Sequence, residues 1–157
     1  MATINSELST QTLDFSKELD IAAPIEIAFE AVLAELGPES EMPGGQPFPM
    51  KVEAWPGGRW YRDLGNEHGH LWGHVQVIKP PTLLEISGPL FVSYPAMNHV
   101  TYRLTAAGDG GGTRLTITHR ALGWMPKEFM KRVEEGWSYG LNRIREIAER
   151  RRGGKQK

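Results

Sequence analysis

Residues 126–150, PKEFMKRVEEGWSYGLNRIREIAER, repeat their apolar members every three to four positions, and that period decides the fold. Phe129, Val133, Trp137, Leu141, Ile144 and Ala148 fall on one stripe, while Lys127, Lys131, Arg132, Glu135, Arg145 and Glu149 stay off it. This is the pattern of a helix with one face in a core. At 1.5 Å per residue, a helix from Pro126 to about Arg150 is about 37 Å long, enough to cross a small domain. Arg150-Arg151-Arg152 sets positive charge at the negative end of the helix dipole, and Gly153-Gly154 lets that end fray. Gly136 and Gly140 lie inside the run and each costs about 1 kcal/mol relative to alanine. They need a reason, either close packing against a sheet or room for a ligand beneath the helix.

Upstream, the period is two. Leu13, Phe15, Leu19 and Ile21 predict a half-buried strand over about Thr12 to Ile21. Pro24 then opens a short helix, with Phe29, Val32, Leu33 and Leu36 on one face and Gly37-Pro38 ending it. A surface loop, Gly37 to Gln46, precedes strand candidates at Phe48 to Ala54, Arg59 to Arg62, Leu71 to Ile78, Leu83 to Ser87, Met97 to Thr105 and Thr113 to Leu122. The last two are joined by a glycine-rich hairpin turn around Asp109. Short strands joined by tight turns predict an antiparallel sheet, and the long helix packed on it makes an α+β domain over residues 12–152. Residues 1–11 read as a flexible leader and 153–157 as a basic flexible tail.

With 39% hydrophobic and 24% charged residues in 157, the chain has the material for one core and hardly for two. A net charge of -1 supplies no field to attract nucleic acid or an anionic membrane. The absence of cysteine excludes disulfides, thiolate metal sites and a cysteine nucleophile. No 18-residue apolar run is present to span a membrane and no secretory pattern opens the chain, so the cytoplasm is the expected compartment. No motif for a cofactor stands out, and Gly110-Gly111-Gly112 lacks the lysine and following helix of a phosphate loop.

Five tryptophans, Trp55, Trp60, Trp72, Trp124 and Trp137, are a large aromatic load for this length. Each alone is explained by core filling; together they suit an apolar pocket. Four segments resemble a known family in its own order: Pro56-Gly57-Gly58-Arg59-Trp60, Gly73-His74-Val75 through Pro80-Pro81-Thr82-Leu83-Leu84, Gly112 to His119, and Glu135-Gly136-Trp137 with Leu141. On these the chain is similar to the activator of heat-shock protein 90 ATPase homologue-like family of the START-like (SRPBCC) superfamily. The resemblance implies a helix-grip fold, a seven-stranded curved antiparallel sheet around a long C-terminal helix, with a tunnel that in the superfamily holds lipids, sterols, polyketides or aromatic compounds. It does not imply co-chaperone activity, because the eukaryotic activator carries an additional N-terminal domain. Gly37 to Gln46 departs from the family, whose members often carry a Thr-Asp and a tryptophan pair there.

Candidate chemistry rests on histidines. Leu115, Ile117 and His119 share a strand face, which points His119 inward, either as an acid or base or as a hydrogen-bonded structural residue. His68, His70 and His74 suggest a metal site only weakly, since His68 falls in a turn and no supporting motif accompanies them; His74 instead reads, beside Trp72, as a polar contact on a pocket wall. His99 is expected to face outward if Val100, Tyr102 and Leu104 face in. Asp63 and Glu85 are expected in cross-strand ion pairs with Arg62, Arg103 or Arg114. The expected function is binding of a small hydrophobic or aromatic molecule. Its candidate contacts are Trp60, Trp72, His74, Asn98, Tyr102, His119, Phe129, Val133, Gly136, Trp137 and Gly140. The alternatives are a cyclase, dehydratase or hydrolase using His119 or His74, and a protein-interaction domain, co-chaperone-like or homodimeric.

Overall fold

A computed structural model describes residues 1–3 and 8–154; the leader's residues 4–7 and the tail's residues 155–157 lie outside the described residues. Strand β1 (Ser9–Ile21) leads through Pro24 into α1 (Ile25–Leu36). There follow β2 (Lys51–Val52), β3 (Arg59–Gly65), β4 (His68–Lys79), β5 (Leu83–Gly88), β6 (Ala96–Ala107) and β7 (Gly112–Met125), then α2 (Phe129–Arg152). The seven strands form one antiparallel sheet in the order β1-β7-β6-β5-β4-β3-β2. This is the architecture the alternating and helical periods predict. At the boundaries, β1 begins at Ser9, inside the stretch 1–11 expected as a flexible leader, and His68 opens β4 instead of lying in the turn. Helix α2 begins at Phe129 rather than Pro126, and of the run from Phe48 to Ala54 only Lys51–Val52 pairs.

The sheet's inner face and both helices share the main core. Tyr102, Leu104, Leu115 and Ile117 from β6 and β7 meet Phe29 and Val32 of α1 and Leu141, Ile144 and Ile147 of α2. A smaller cluster of Leu13, Ala121, Met125, Phe129 and Val133 sits under the first turns of α2. On the outer face, strands exchange ion pairs, Arg114 with Asp20 at 3.0 Å and Arg120 with Asp14 at 3.2 Å. Asp63 pairs there with Lys51 at 2.8 Å, and Glu85 with His99 at 3.3 Å, so the expected arginine partners are not the ones used. His99 does face outward. Met97, Leu122 and Trp124 are also exposed on that face, Met97 lying directly opposite Leu122.

The C-terminal half of α2 is clamped to the loop that follows α1. Glu39 accepts from Arg150 and Arg151, each at 2.7 Å, and its backbone carbonyl accepts from Arg143 at 2.9 Å. Burial raises the Glu39 carboxyl, but the two guanidiniums outweigh it and hold the group below its usual value. The arginines at the helix end therefore do more than meet the dipole. Among the described residues, no helix is long and apolar enough to cross a membrane.

One irregularity shapes the inner face. In the β3–β4 ladder Trp60 pairs with Gly73 and Tyr61 with Leu71, which leaves Trp72 as an extra residue in β4. Such a bulge reverses the alternation beyond it. His70 and Trp72 turn inward, and so do Gly73 and Val75, while His74 turns out and is exposed. Gly73 suits the kink, because a Cβ there would come within 2.8 Å of the Ser87 carbonyl oxygen.

Candidate functional site

Between the sheet and the middle of α2 lies a cavity of about 480 Å³. Phe48, Trp60, Trp72 and Phe91 form an aromatic wall, with ring centroids 5.0 Å apart for Trp60 and Trp72 and 5.8 Å for Trp72 and Phe91. Val133, Gly136, Trp137 and Gly140 of α2 close it from above, and Tyr102 of β6 lies at its floor. The loop after α1 contributes Ser40, Glu41, Met42 and Pro43. A larger groove of about 850 Å³ runs outside, between α1 and β2–β3, but Glu30, Lys51, Glu53, Asp63 and Arg151 make it a charged surface feature.

The two helix glycines meet different surroundings. Gly136 is exposed at the rim of the cavity, and a Cβ there would touch nothing within 4 Å. A Cβ on Gly140 would stand 3.8 Å from both carboxyl oxygens of Glu35. Neither glycine lets the helix backbone down onto the sheet. The indole N–H groups are already engaged: Trp60 donates to the Leu36 carbonyl at 2.8 Å, Trp72 to His70 Nδ1 at 3.1 Å, and Trp137 to His119 Nδ1 at 3.0 Å. These bonds fix the rings that form the walls.

His119 is fully buried behind Trp137. Because an indole can only donate, Nδ1 of His119 must be the acceptor. Nε2 then carries the hydrogen and donates to Asn98 Oδ1 at 2.8 Å, while Asn98 Nδ2 donates to the Pro89 carbonyl at 3.2 Å. Burial pushes the imidazole down to about 4, so the ring is neutral near pH 7. Of the sequence-predicted contacts, the structure gathers Trp60, Trp72, Tyr102, Val133, Gly136, Trp137 and Gly140 around the cavity. Asn98 and His119 support its wall from behind, Phe129 packs in the smaller cluster, and His74 stands outside because of the bulge.

Sequence reasoning missed the polar end. Glu35 lines the cavity, and burial raises its carboxyl to about 8 although Arg143 pulls it down; Glu41 adds to the rise. Beside it the Tyr102 hydroxyl is buried with no hydrogen-bond partner among the described residues, and burial, then Glu35, raise it well above its usual value. Tyr139 donates to Glu41 at 2.6 Å, and Arg143 Nε approaches the same carboxylate at 3.4 Å. A signal was present: Ala28, Ala31, Val32 and Glu35 occupy one helical stripe, so a carboxylate continues a buried face.

No curated protein matches the chain. The fold matches an uncharacterised protein from Rhizobium leguminosarum with TM-score 0.68 and 19% identity, over 91% of this chain and 98% of that one. It also matches the Zhui aromatase/cyclase from Streptomyces sp. R1128 with TM-score 0.61 and 16% identity, over 90% of this chain and 96% of that one. At these identities the likeness concerns the fold. Residues 45–149, well over half the chain and including most of the cavity wall, match the family described as Activator of Hsp90 ATPase homolog 1-like protein. The chain thus belongs to the Activator of Hsp90 ATPase homolog 1-like protein family.

Proposed function

We propose that the protein binds a small hydrophobic, aromatic molecule in the cavity beneath α2. The observation that carries this reading is a cavity open at Gly136 and walled by Phe91 and by Trp60, Trp72 and Trp137, whose indole N–H groups already have partners. Aromatic walls with few free polar groups suit such a ligand, and the match to a helix-grip aromatase/cyclase fold is in keeping with it. In this reading His119 holds Trp137 in place rather than moving protons, since both ring nitrogens are occupied.

The test is Gly136→Leu. A side chain there enters open space, and leucine is the better helix former by about 1 kcal/mol, so the variant should fold at least as well as the parent. Binding of N-phenyl-1-naphthylamine, followed by its own fluorescence and by native mass spectrometry, should weaken at least tenfold. Unaltered binding in the folded variant sinks the cavity as the site. A second reading, self-association through the outer face, rests on the exposed neighbours Met97, Leu122 and Trp124. Sedimentation should then detect a dimer that Leu122→Lys dissociates; monomer at all concentrations ends that reading.

A further inference from the structure

The apolar walls select for size and flatness, whereas the polar groups that remain free select for chemistry. Glu41 is taken by Tyr139 and Arg143, and the indoles of Trp60, Trp72 and Trp137 by their acceptors; His70 accepts from Trp72 at Nδ1, which leaves its Nε2–H as a further donor of the lining. Glu35 lines the cavity under Gly140 and has no hydrogen-bond partner among the described residues. The Tyr102 hydroxyl next to it has none either. No lysine or arginine lines the cavity among the described residues, while two carboxyl groups do.

We infer that Glu35 is the specificity-determining contact of the cavity, donating a hydrogen bond to the carbonyl oxygen of an uncharged, flat ligand and rejecting ligands that end in a carboxylate. The inference rests on the cavity being a ligand site and adds the class of ligand. A carboxyl held neutral near pH 7 has an O–H to give, and a carbonyl oxygen has lone pairs and no hydrogen of its own to place. A carboxylate would have to give up its hydration with no lysine or arginine among the described lining residues to replace it, Arg143 behind the lining being already paired with Glu41. The groups that act on Glu35 are Arg143 from α2, Glu41 from the loop after α1, itself bonded by Tyr139, and Tyr102 from β6.

The experiment compares 9-fluorenone, fluorene and fluorene-4-carboxylate by calorimetry on the parent, Glu35→Met and Glu35→Gln. The ratio of fluorene to fluorenone dissociation constants cancels most of the shared apolar contribution. It should fall about tenfold in Glu35→Met, the worth of one buried hydrogen bond, and stay within about threefold of the parent in Glu35→Gln, whose amide still donates. Fluorenone affinity should drop in the parent as the pH rises through about 8, where Glu35 ionises, and not in Glu35→Gln. The carboxylate should bind at least tenfold more weakly than fluorene at pH 7. A ratio unchanged in Glu35→Met, or a carboxylate that binds as well as fluorene, overturns the role of Glu35 and leaves the cavity reading standing. Fluorene failing to bind the parent removes both.

Discussion

Trp137 stands between two buried polar groups that the same sheet presents to the same helix, its ring centroid 5.8 Å from His119 on β7 and 5.9 Å from Tyr102 on β6. On the His119 side every polar atom has a partner: Trp137 donates to one ring nitrogen, Asn98 accepts from the other, and the Asn98 amide reaches the Pro89 carbonyl. On the Tyr102 side the hydroxyl has none among the described residues, and a neutral carboxyl sits beside it. A buried polar group without a partner costs about 1–3 kcal/mol. A closed network fixes structure, whereas an open one retains capacity for a partner from outside.

The largest expected contrast is in pH dependence. In the unfolded chain a histidine takes up its proton near 6.5, but His119 in the fold does so only at about 4. Between those values the unfolded state binds more protons, so stability is fully present above pH 6.5 and is lost as the pH falls towards about 4. The loss should reach about 3 kcal/mol. Urea unfolding of the parent and His119→Gln across that range measures it, and nitrogen NMR should find His119 with its hydrogen on Nε2 at pH 5.5. A His119 ring that is charged at that pH breaks the picture of a closed network.

Smaller and more direct is the pair Asn98→Leu and Tyr102→Phe. The first orphans the Nε2–H of His119 and the Pro89 carbonyl, and should destabilise by about 2–3 kcal/mol. The second removes a hydroxyl that has no partner among the described residues and leaves the ring packed edge-on to Trp137, so stability should change by less than about 0.5 kcal/mol or rise. Equal losses in the two variants, by urea denaturation, would erase the distinction between the sides.

The fold was legible because its elements are long and their periods clean: the stripe from Phe129 to Ala148 and the alternation through Leu115, Ile117 and His119 each survive in the structure. The inward direction of His119 was legible for the same reason. His74 was misplaced because alternation assumes an unbroken ladder, and one extra residue at Trp72 reverses the side chains from Gly73 to Val75, until a second shift between Val75 and Val77 reverses them again. Glu39 was unreadable for another reason. Its partners, Arg150 and Arg151, lie 111 and 112 residues away, and no local period links a loop carboxylate to a distant helix end. The Glu35 stripe could be read, but a carboxylate among alanines passes for a solvated position until the long helix is seen to cover it.

The bonds that hold the indoles have an optical consequence. Trp60, Trp72 and Trp137 border the cavity, while Trp55 and Trp124 are exposed, 58% and 46%. The protein therefore carries two classes of emitter in one chain. The shielded class should emit to the blue and respond to whatever enters beneath α2, and the exposed class should emit to the red and be quenched by iodide from solvent. A guest would report its own arrival by dimming one colour and sparing the other.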